Sequence, residues 1–523
     1  MSEEPDGTLD AFRRLLGTLP AGPGAGIELL LSQLPAEAAA LLRLGAIPHA
    51  VDRRVAAVLQ PETPPEVLDE AVAELLKLSF VTSDGQSGRL HDEARAYLLG
   101  QWLAARETDP ARWRTFREVN ERLAAHYAVR RGTRVGQRRD IAERSEVYHR
   151  LAAEDPGAFG HFQERMDAER RSFRLEACEA LLKVVAELEP LLAPGERAWL
   201  GYWRARLLAD QRRYDEAVEG FIALRADPAT AEHPRLFAAV VSGLHDAYRG
   251  QRDFRAALRA LDELLGYLKD RPEGRQRQLE ATQSMASLLL EMRETKRAEA
   301  LATTLLEAPG LDEDRSLKAR TWNTLGSIHK RLGRPRRALE AYEQALALLE
   351  AAGERFRPMQ VYNNIGALHA ERAEWEPARA SLERALAIAR EAGDVGGEAA
   401  ALGNLERVYS GLGQESQAVA ATERAVELFR TIHDWHSAAT LSRNLARRRR
   451  RGGDEAGAAA AFREAAGFYR VAGETAEAER CLADATGRRE RTWGLGRWLA
   501  VTAGLAVGVI VVVVIVAAAL GIL

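Results

Sequence analysis

Eleven histidines and two cysteines are the residues best suited to metal or nucleophilic chemistry in this 523-residue chain, and they are scattered. His433 and His436 stand three apart and would share one face of a helix. No cysteine and no third histidine lies near them in sequence, so a metal site is not expected. Cys178 and Cys481 cannot build a disulfide framework or a cysteine-based zinc site. No H-E-x-x-H, G-x-S-x-G or G-x-x-x-x-G-K-[ST] occurs. Carboxylates are dense but lie near arginines on what read as solvated helix faces, as Glu340 and Glu343 do near Arg336 and Arg337. The residues form no catalytic set, and neither enzyme activity nor a cofactor is expected.

What does recur is amide chemistry. Asn323, Asn363, Asn364, Asn404 and Asn444 repeat at a spacing of 40, from 323 to 363, 364 to 404 and 404 to 444. A primary amide carries two donor hydrogens and an acceptor oxygen. Set along one face, such groups can clamp the backbone of an extended peptide or bond to one another between repeats. Arg447 to Arg451 form a run of five arginines. One reading is a solvated last turn of a helix, where the negative helix terminus favours cations. The other is contact with anionic lipid headgroups, worth about 1 kcal/mol per cation.

The elements that would carry these groups follow from the same period. Gly326, Gly366, Glu406 and Ala446 align at 40, as do Ala338, Ala378, Ala418 and Ala458, and Ala345, Ala385, Ala425 and Ala465. The clearest unit is TWNTLGSIHKRLGRPRRALEAYEQALALLE. Trp322, Leu325, Gly326 and His329 belong to a first helix, and Ala338, Tyr342 and Ala345 to a second. Small residues let two helices approach, large ones fill the space between hairpins, and stacking is required because one hairpin cannot bury its apolar face alone. This pattern resembles the tetratricopeptide repeat, whose usual length is about 34 residues. The resemblance implies a superhelix that holds a peptide or partner helix in its concave groove, with a mere spacer as the alternative. Weaker units upstream bring the array to about seven repeats over residues 197–486. The surplus over the usual length is assigned to loops at AAGERFRPM, EAGDVGGE and IHDWHSA.

Residues 1–31 read as a tail and linker, with Gly22-Pro23-Gly24-Ala25-Gly26 following no strand. Residues 32–105 read as three helices, a hairpin around Asp84-Gly85 and a final helix from about Asp92. The third helix opens on a capping box, Thr63-Pro-Pro-Glu66. This is the order of a winged helix. Leu90-His91-Asp92 followed by EARAYLL, with LPAEAAALLRLGAI and AVAELLKLSFV, resembles the winged-helix segment of STAND-type signalling ATPases. The resemblance implies that His91 would contact bound ADP. No phosphate-binding loop accompanies it, so His91 is expected to cap or pack the junction between wing and helix. The third helix carries Glu66, Asp69, Glu70 and Glu74 against Lys77 alone. Phosphate contact needs positive charge, so nucleic acid is not the expected partner. Residues 106–196 read as a helical adaptor with a basic loop at 130–140.

The chain closes on Trp498 to Leu523, twenty-six residues without a charged side chain. About 20 apolar residues suffice to span a bilayer. Arg488, Arg489, Arg491 and Arg497, in a juxtamembrane linker at 487–497, together with Trp498, are expected at the membrane surface. Ala500, Gly504 and Gly508 form a stripe suited to helix dimerisation and so to a homodimer. The acidic start MSEEPDG has no signal-peptide pattern. With a net charge of -3 there is no bulk argument for nucleic acid. The expected fold class is all-α: a tetratricopeptide superhelix, a small N-terminal winged-helix module and one transmembrane helix at 498–523. The expected location is a membrane, single-pass with a cytoplasmic N-terminal region, in a bacterium by style of composition. The expected function is a membrane-anchored scaffold that recruits a protein or peptide. Two alternatives are the sensor half of a split STAND-type switch that docks on a separate nucleotide-binding protein, and a membrane-tethered transcription regulator.

Overall fold

The computed structural model describes residues 23–486, apart from 79, 134, 135, 173, 272 and 273. The expected span at 498–523, its flanking Arg488, Arg489, Arg491, Arg497 and Trp498, and the Ala500, Gly504, Gly508 stripe lie outside the described residues. Among the described residues no helix is long and apolar enough to cross a membrane. That finding corrects the expected membrane localisation.

The chain divides into two compact units. The first comprises residues up to Leu207 together with Glu219–Val240, and the second Leu208–Val218 together with everything from Val241.

The first unit begins with α1 (Pro23–Gln33), α2 (Ala36–Gly45), β1 (Val51–Asp52), α3 (Arg53–Leu59), α4 (Pro65–Leu76), β2 (Val81–Ser83), β3 (Ser87–Leu90) and α5 (Asp92–Thr108). The strands form one antiparallel sheet in the order β1-β3-β2. Val51 stands opposite Gly88, and Val81 opposite Leu90. The β2–β3 turn is held by the Asp84 carboxylate, which accepts from the backbone N–H of Gln86 at 3.0 Å and of Ser87 at 2.7 Å. Asp52 caps α3 by accepting from the Val55 N–H at 2.7 Å. Three expectations need correction. Residues 23–33 are helix rather than linker, because Ile27 and Leu31, four apart, are both buried and their packing outweighs the glycine cost. The third helix has Pro64 as its N-cap with no side-chain bond, so no capping box forms. Most of 130–140 is helical, shared between α6 (Pro110–Thr133) and α7 (Gln137–Ala152).

With α8 (Ala158–Arg171) and α9 (Leu175–Ala186), these elements share one apolar core that runs from Ile27 to Leu207. No boundary falls at residue 105, because α5 continues through it. A polar network is set into this core. Arg95 on α5 donates through Nη1 to Glu187 Oε2 at 2.5 Å and through Nη2 to the Tyr148 hydroxyl at 3.2 Å. His49 Nε2 lies 3.2 Å from the other Glu187 oxygen. The network therefore ties the α2–β1 loop, α5, α7 and the end of α9 together.

Helices α10 (Pro194–Asp210), α11 (Tyr214–Ala226), α12 (Pro228–Ala231) and α13 (Pro234–Gly250) follow; α12 belongs to the first unit and the other three are divided between the units. In the second unit the helices pair as successive hairpins. After α14 (Phe254–Leu268), the pairs are α15 (Arg275–Glu291) with α16 (Thr295–Leu306), and α17 (Arg315–Arg331) with α18 (Pro335–Ala351). Then come α19 (Pro358–Glu371) with α20 (Trp375–Ala392), α21 (Val395–Gly411) with α22 (Glu415–Thr431), and α23 (Trp435–Arg451) with α24 (Glu455–Val471), followed by α25 (Thr475–Ala485). Within each hairpin the turn carries a left-handed residue at a matching place: Arg293, Gly333, Ala373, Gly413 and Gly453. The period of 40 is made of helices, not loops. From α21 to α24 each helix has 17 residues, and each turn from there to α25 has three. Of the three expected loops only AAGERFRPM contains a longer connection, at 352–357.

The hairpins close on small residues. A Cβ at Gly326 would lie 2.5 Å from the Tyr342 ring, and one at Gly366 would lie 2.5 Å from Leu382 Cγ and 3.1 Å from the Ala378 carbonyl oxygen. Ala338, Tyr342 and Ala345 are fully buried against this contact. Within the same unit, residues far apart in sequence also meet. Arg212 Nη1 is 3.0 Å from Asp434 Oδ2, and Arg252 Nη1 is 3.2 Å from the His436 ring.

Two outcomes follow. Replacing Gly366 with Ala should gain about 1 kcal/mol of helix propensity but lose more to overpacking, which costs about 1–3 kcal/mol, since a backbone oxygen cannot swing aside. Chemical denaturation should therefore show a net loss. In the first unit, burial pushes the Glu187 carboxyl up, but the His49 hydrogen bond and the neighbouring cationic groups, Arg95 among them, outweigh it and hold it at about 2, against an ordinary 4.5. A depressed carboxyl contributes stability that is complete above about pH 4.5 and lost as pH falls towards 2, on the order of 1–3 kcal/mol. Acid titration of the wild type and Glu187→Gln should show this dependence only in the wild type.

Candidate functional site

The first helices of successive hairpins present a ladder of polar side chains. On α15 and α17, Gln283 Nε2 donates to Thr324 Oγ1 at 3.1 Å, and Ser287 Oγ lies 3.1 Å from the same oxygen. Asn364 on α19 donates through Nδ2 to Asn323 Oδ1 on α17 at 2.9 Å. Asn404 on α21 repeats that bond to Asn363 Oδ1 on α19, again at 2.9 Å. Each rung joins residues 41 apart. The next rung would join residues 403 and 444. Residue 403 is glycine, so no side chain reaches across, and Asn444 stands exposed.

The four rung asparagines are half-buried and each spends one hydrogen-bonding group on its rung. Asn323 and Asn363 keep both donor hydrogens, and Asn364 and Asn404 keep the carbonyl and one hydrogen. The rungs also fix the side-chain torsions, so a ligand would find these amides already oriented.

Two flanking rows run beside the ladder, three or four residues away on the same helix faces. One row is Arg320, Gln360, Ala400 and Thr440, and the other is Ser327, Ala367, Arg407 and Arg447. Neither contains a carboxylate. Arg320 is half-buried and its Nε has no hydrogen-bond partner among the described residues. Burial, and then the charge of Arg357, lower the affinity of its guanidinium for a proton. Arg407 is exposed and donates to the Ala367 carbonyl at 3.1 Å, reaching back towards the preceding hairpin.

The five-arginine run is largely spent on holding the array together. Arg448 pairs with Glu406 and, at 2.8 Å, with Glu415. Arg449 pairs with Glu423 at 2.7 Å. Arg450 donates to the Asp484 carbonyl at 2.6 Å and lies over the Phe462 ring. The three are half-buried in the last turn of α23, with partners on the α21–α22 hairpin, on their own hairpin and on α25.

Three histidines singled out by position are engaged as well. His91 is the N-cap residue of α5; its ring lies 3.1 Å from Thr82 Oγ1 and its N–H donates to the Phe80 carbonyl at 2.8 Å, joining wing to helix. His369 Nδ1 is 2.6 Å from Glu374, and His436 Nδ1 is 2.5 Å from Glu474. Among the described residues no three His, Cys, Asp or Glu side chains are placed to hold a metal ion.

Two tetratricopeptide repeat models match the chain, one over residues 319–352 and one over 358–431. These segments are α17 with α18 and α19 through α22, the stretch that bears the two asparagine rungs. No curated protein sequence matches. Among solved structures, aspartyl phosphate phosphatase F from Bacillus subtilis is 14% identical, with 76% of this chain and 94% of that one covered at a TM-score of 0.43. The apo form of the quorum sensor NprR from B. thuringiensis is 15% identical, covering 72% and 97% at 0.45. A STAND protein with a tetratricopeptide repeat sensor from Pyrococcus horikoshii is 15% identical, covering 90% and 65% at 0.40. The second unit is thus an all-α, tetratricopeptide-like superhelix.

Sequence spacing picked out the asparagines but not their register, nor Gln283, Ser287 and Thr324. The ladder predicts graded stabilities. Replacing Asn364 or Asn404 with Ala removes one rung and should cost about 1 kcal/mol, with the helical circular-dichroism signal intact. Asn444→Ala removes no rung and should stay within about 0.5 kcal/mol.

Proposed function

We propose that this chain is a non-catalytic scaffold that captures an extended segment of a protein partner along the ladder face of α15, α17, α19, α21 and α23. The observation that supports this most is the set of unspent amide groups on Asn323, Asn363, Asn364 and Asn404, held in place by their own rungs. Their free donors and acceptors match a peptide backbone, which offers one N–H and one C=O per residue. A carboxylate-free border extends this preference to segments with acidic side chains. Asn444, exposed and without a rung, lies at the open end of the ladder.

The N-terminal elements support a second contact surface. Helix, strand, two helices, hairpin and helix, with the sheet order β1-β3-β2, is consistent with the winged-helix reading of this segment. Its α4 bears exposed Glu66, Asp69 and Glu70, and Arg53 is drawn to Asp69 at 2.7 Å. A surface of that sign repels phosphates and suits a basic protein face, which favours protein over DNA as its partner. His91 is engaged with Thr82, which leaves a nucleotide role without support here.

Affinity capture with the full chain tests the groove. A partner retained by the wild type should be captured about ten-fold less by Asn364→Ala/Asn404→Ala, while Arg95→Lys in the first unit should leave capture unchanged. Equal capture by the wild type and the double variant, with both folded, would remove the groove from the reading.

A further inference from the structure

The array carries a second feature that none of the groove residues share. A depression of about 770 Å³ is lined by Arg334, Pro335, Arg336, Arg337 and Arg372. Four of these come from the α17–α18 turn and the start of α18, and Arg372 comes from the end of α19. The lining contains no carboxylate. Two of its guanidinium groups are neutralised from outside: Arg334 by Glu299 at 2.6 Å, and Arg372 by Glu374 at 2.8 Å. Arg336 and Arg337 are exposed, and their side chains form no ion pair or hydrogen bond among the described residues. Glu340 and Glu343, which sequence places nearby on the same helix, do not pair with them.

The backbone adds to this charge. Arg334 is the N-cap of α18 and makes no side-chain capping bond, and Pro335 occupies the first turn. The N–H groups of Arg336 and Arg337 therefore have no intrahelical acceptor. They sit at the positive end of a 17-residue helix. Two unpaired guanidinium forks and two partly neutralised ones belong to residues that line one open depression, at a helix start whose first N–H groups lack an intrahelical acceptor.

We propose that this depression binds a phosphoryl group. The planar guanidinium fork makes paired hydrogen bonds to phosphate oxygens, and unsatisfied N–H groups at a helix start complete the acceptor shell. A single carboxylate would engage one fork and leave the other idle; a dianion with three terminal oxygens engages both. The group arrives either on a phosphorylated serine or threonine of a protein partner or on a small free phosphate compound. Its residues are distinct from the asparagine ladder, so this site stands or falls separately from the groove.

Isothermal titration of the full chain distinguishes the sources. The probes are inorganic pyrophosphate, a short phosphoserine peptide and the same peptide without its phosphate. Saturable one-to-one binding of a phosphorylated probe is expected, weakening with salt and falling about ten-fold or more in Arg336→Ala/Arg337→Ala. Both side chains are exposed, so that variant should keep the wild-type unfolding midpoint, and Asn364→Ala/Asn404→Ala should bind the probe normally. Tighter binding of the phosphopeptide assigns the site to a modified partner, and tighter binding of pyrophosphate to a free phosphate compound. Binding that is equal for the unphosphorylated peptide, unchanged in the double arginine variant or absent for both phosphorylated probes overturns the proposal.

Discussion

Helices α17 and α18 meet where Gly326 lies against the ring of Tyr342, a contact too close for one added carbon. The same closure recurs at Gly366 against Leu382. Because interiors pack at crystal-like density, such contacts leave little freedom in how a hairpin closes. Hairpins that close alike stack alike, and equal stacking is what carries residue n to residue n+41 within hydrogen-bonding distance. The ladder is thus a consequence of the packing beneath it. Its rungs add modest stability, and they also fix the torsions of the asparagine amides.

That dependence explains what could be read in the sequence. The period of 40 is visible because small residues return at most places where two helices touch, with Glu406 the exception in the first-helix column. The asparagines were visible by the same period. Their pairing was not, because it joins adjacent columns of the repeat, and one rung replaces asparagine with Gln283 and Thr324. The repeat spacing alone places the surplus residues in loops. Instead, Gly393 and Asp394 form a two-residue turn, and the helices on either side absorb the rest. The arginine run showed no partners because Glu406, Glu415 and Glu423 lie on other hairpins. At the N-terminus, Gly22-Pro23-Gly24 reads as a linker, yet the burial of Ile27 and Leu31 holds 23–33 as helix. A two-residue strand such as β1 gives no pattern to detect.

The first unit is built on a different constraint. Its N-terminal elements and the helices that follow share one apolar core, and a partly buried ionic network is set into it. A buried ion pair is weak evidence of stability but costly to break from one side. Arg95 must find both Glu187 and Tyr148, on elements separated by tens of residues, before its burial is compensated. The network therefore favours one particular docking of α5 on α7 and α9 over the looser ones that apolar contacts alone would allow.

Repeat arrays ordinarily touch only their neighbours, so their stability grows one repeat at a time and they can begin folding anywhere. The pairs Arg212 with Asp434 and Arg252 with His436 depart from that rule, since each spans more than 180 residues. Such contacts can form only after the intervening hairpins have ordered, because the entropy of closing so long a loop must first be overcome. One is half-buried and the other exposed, and such solvent-accessible polar contacts are individually weak. The second unit therefore behaves as a spring coil held by a light clasp: the clasp is last to form and first to part, and its parting would loosen the coil without melting a single helix.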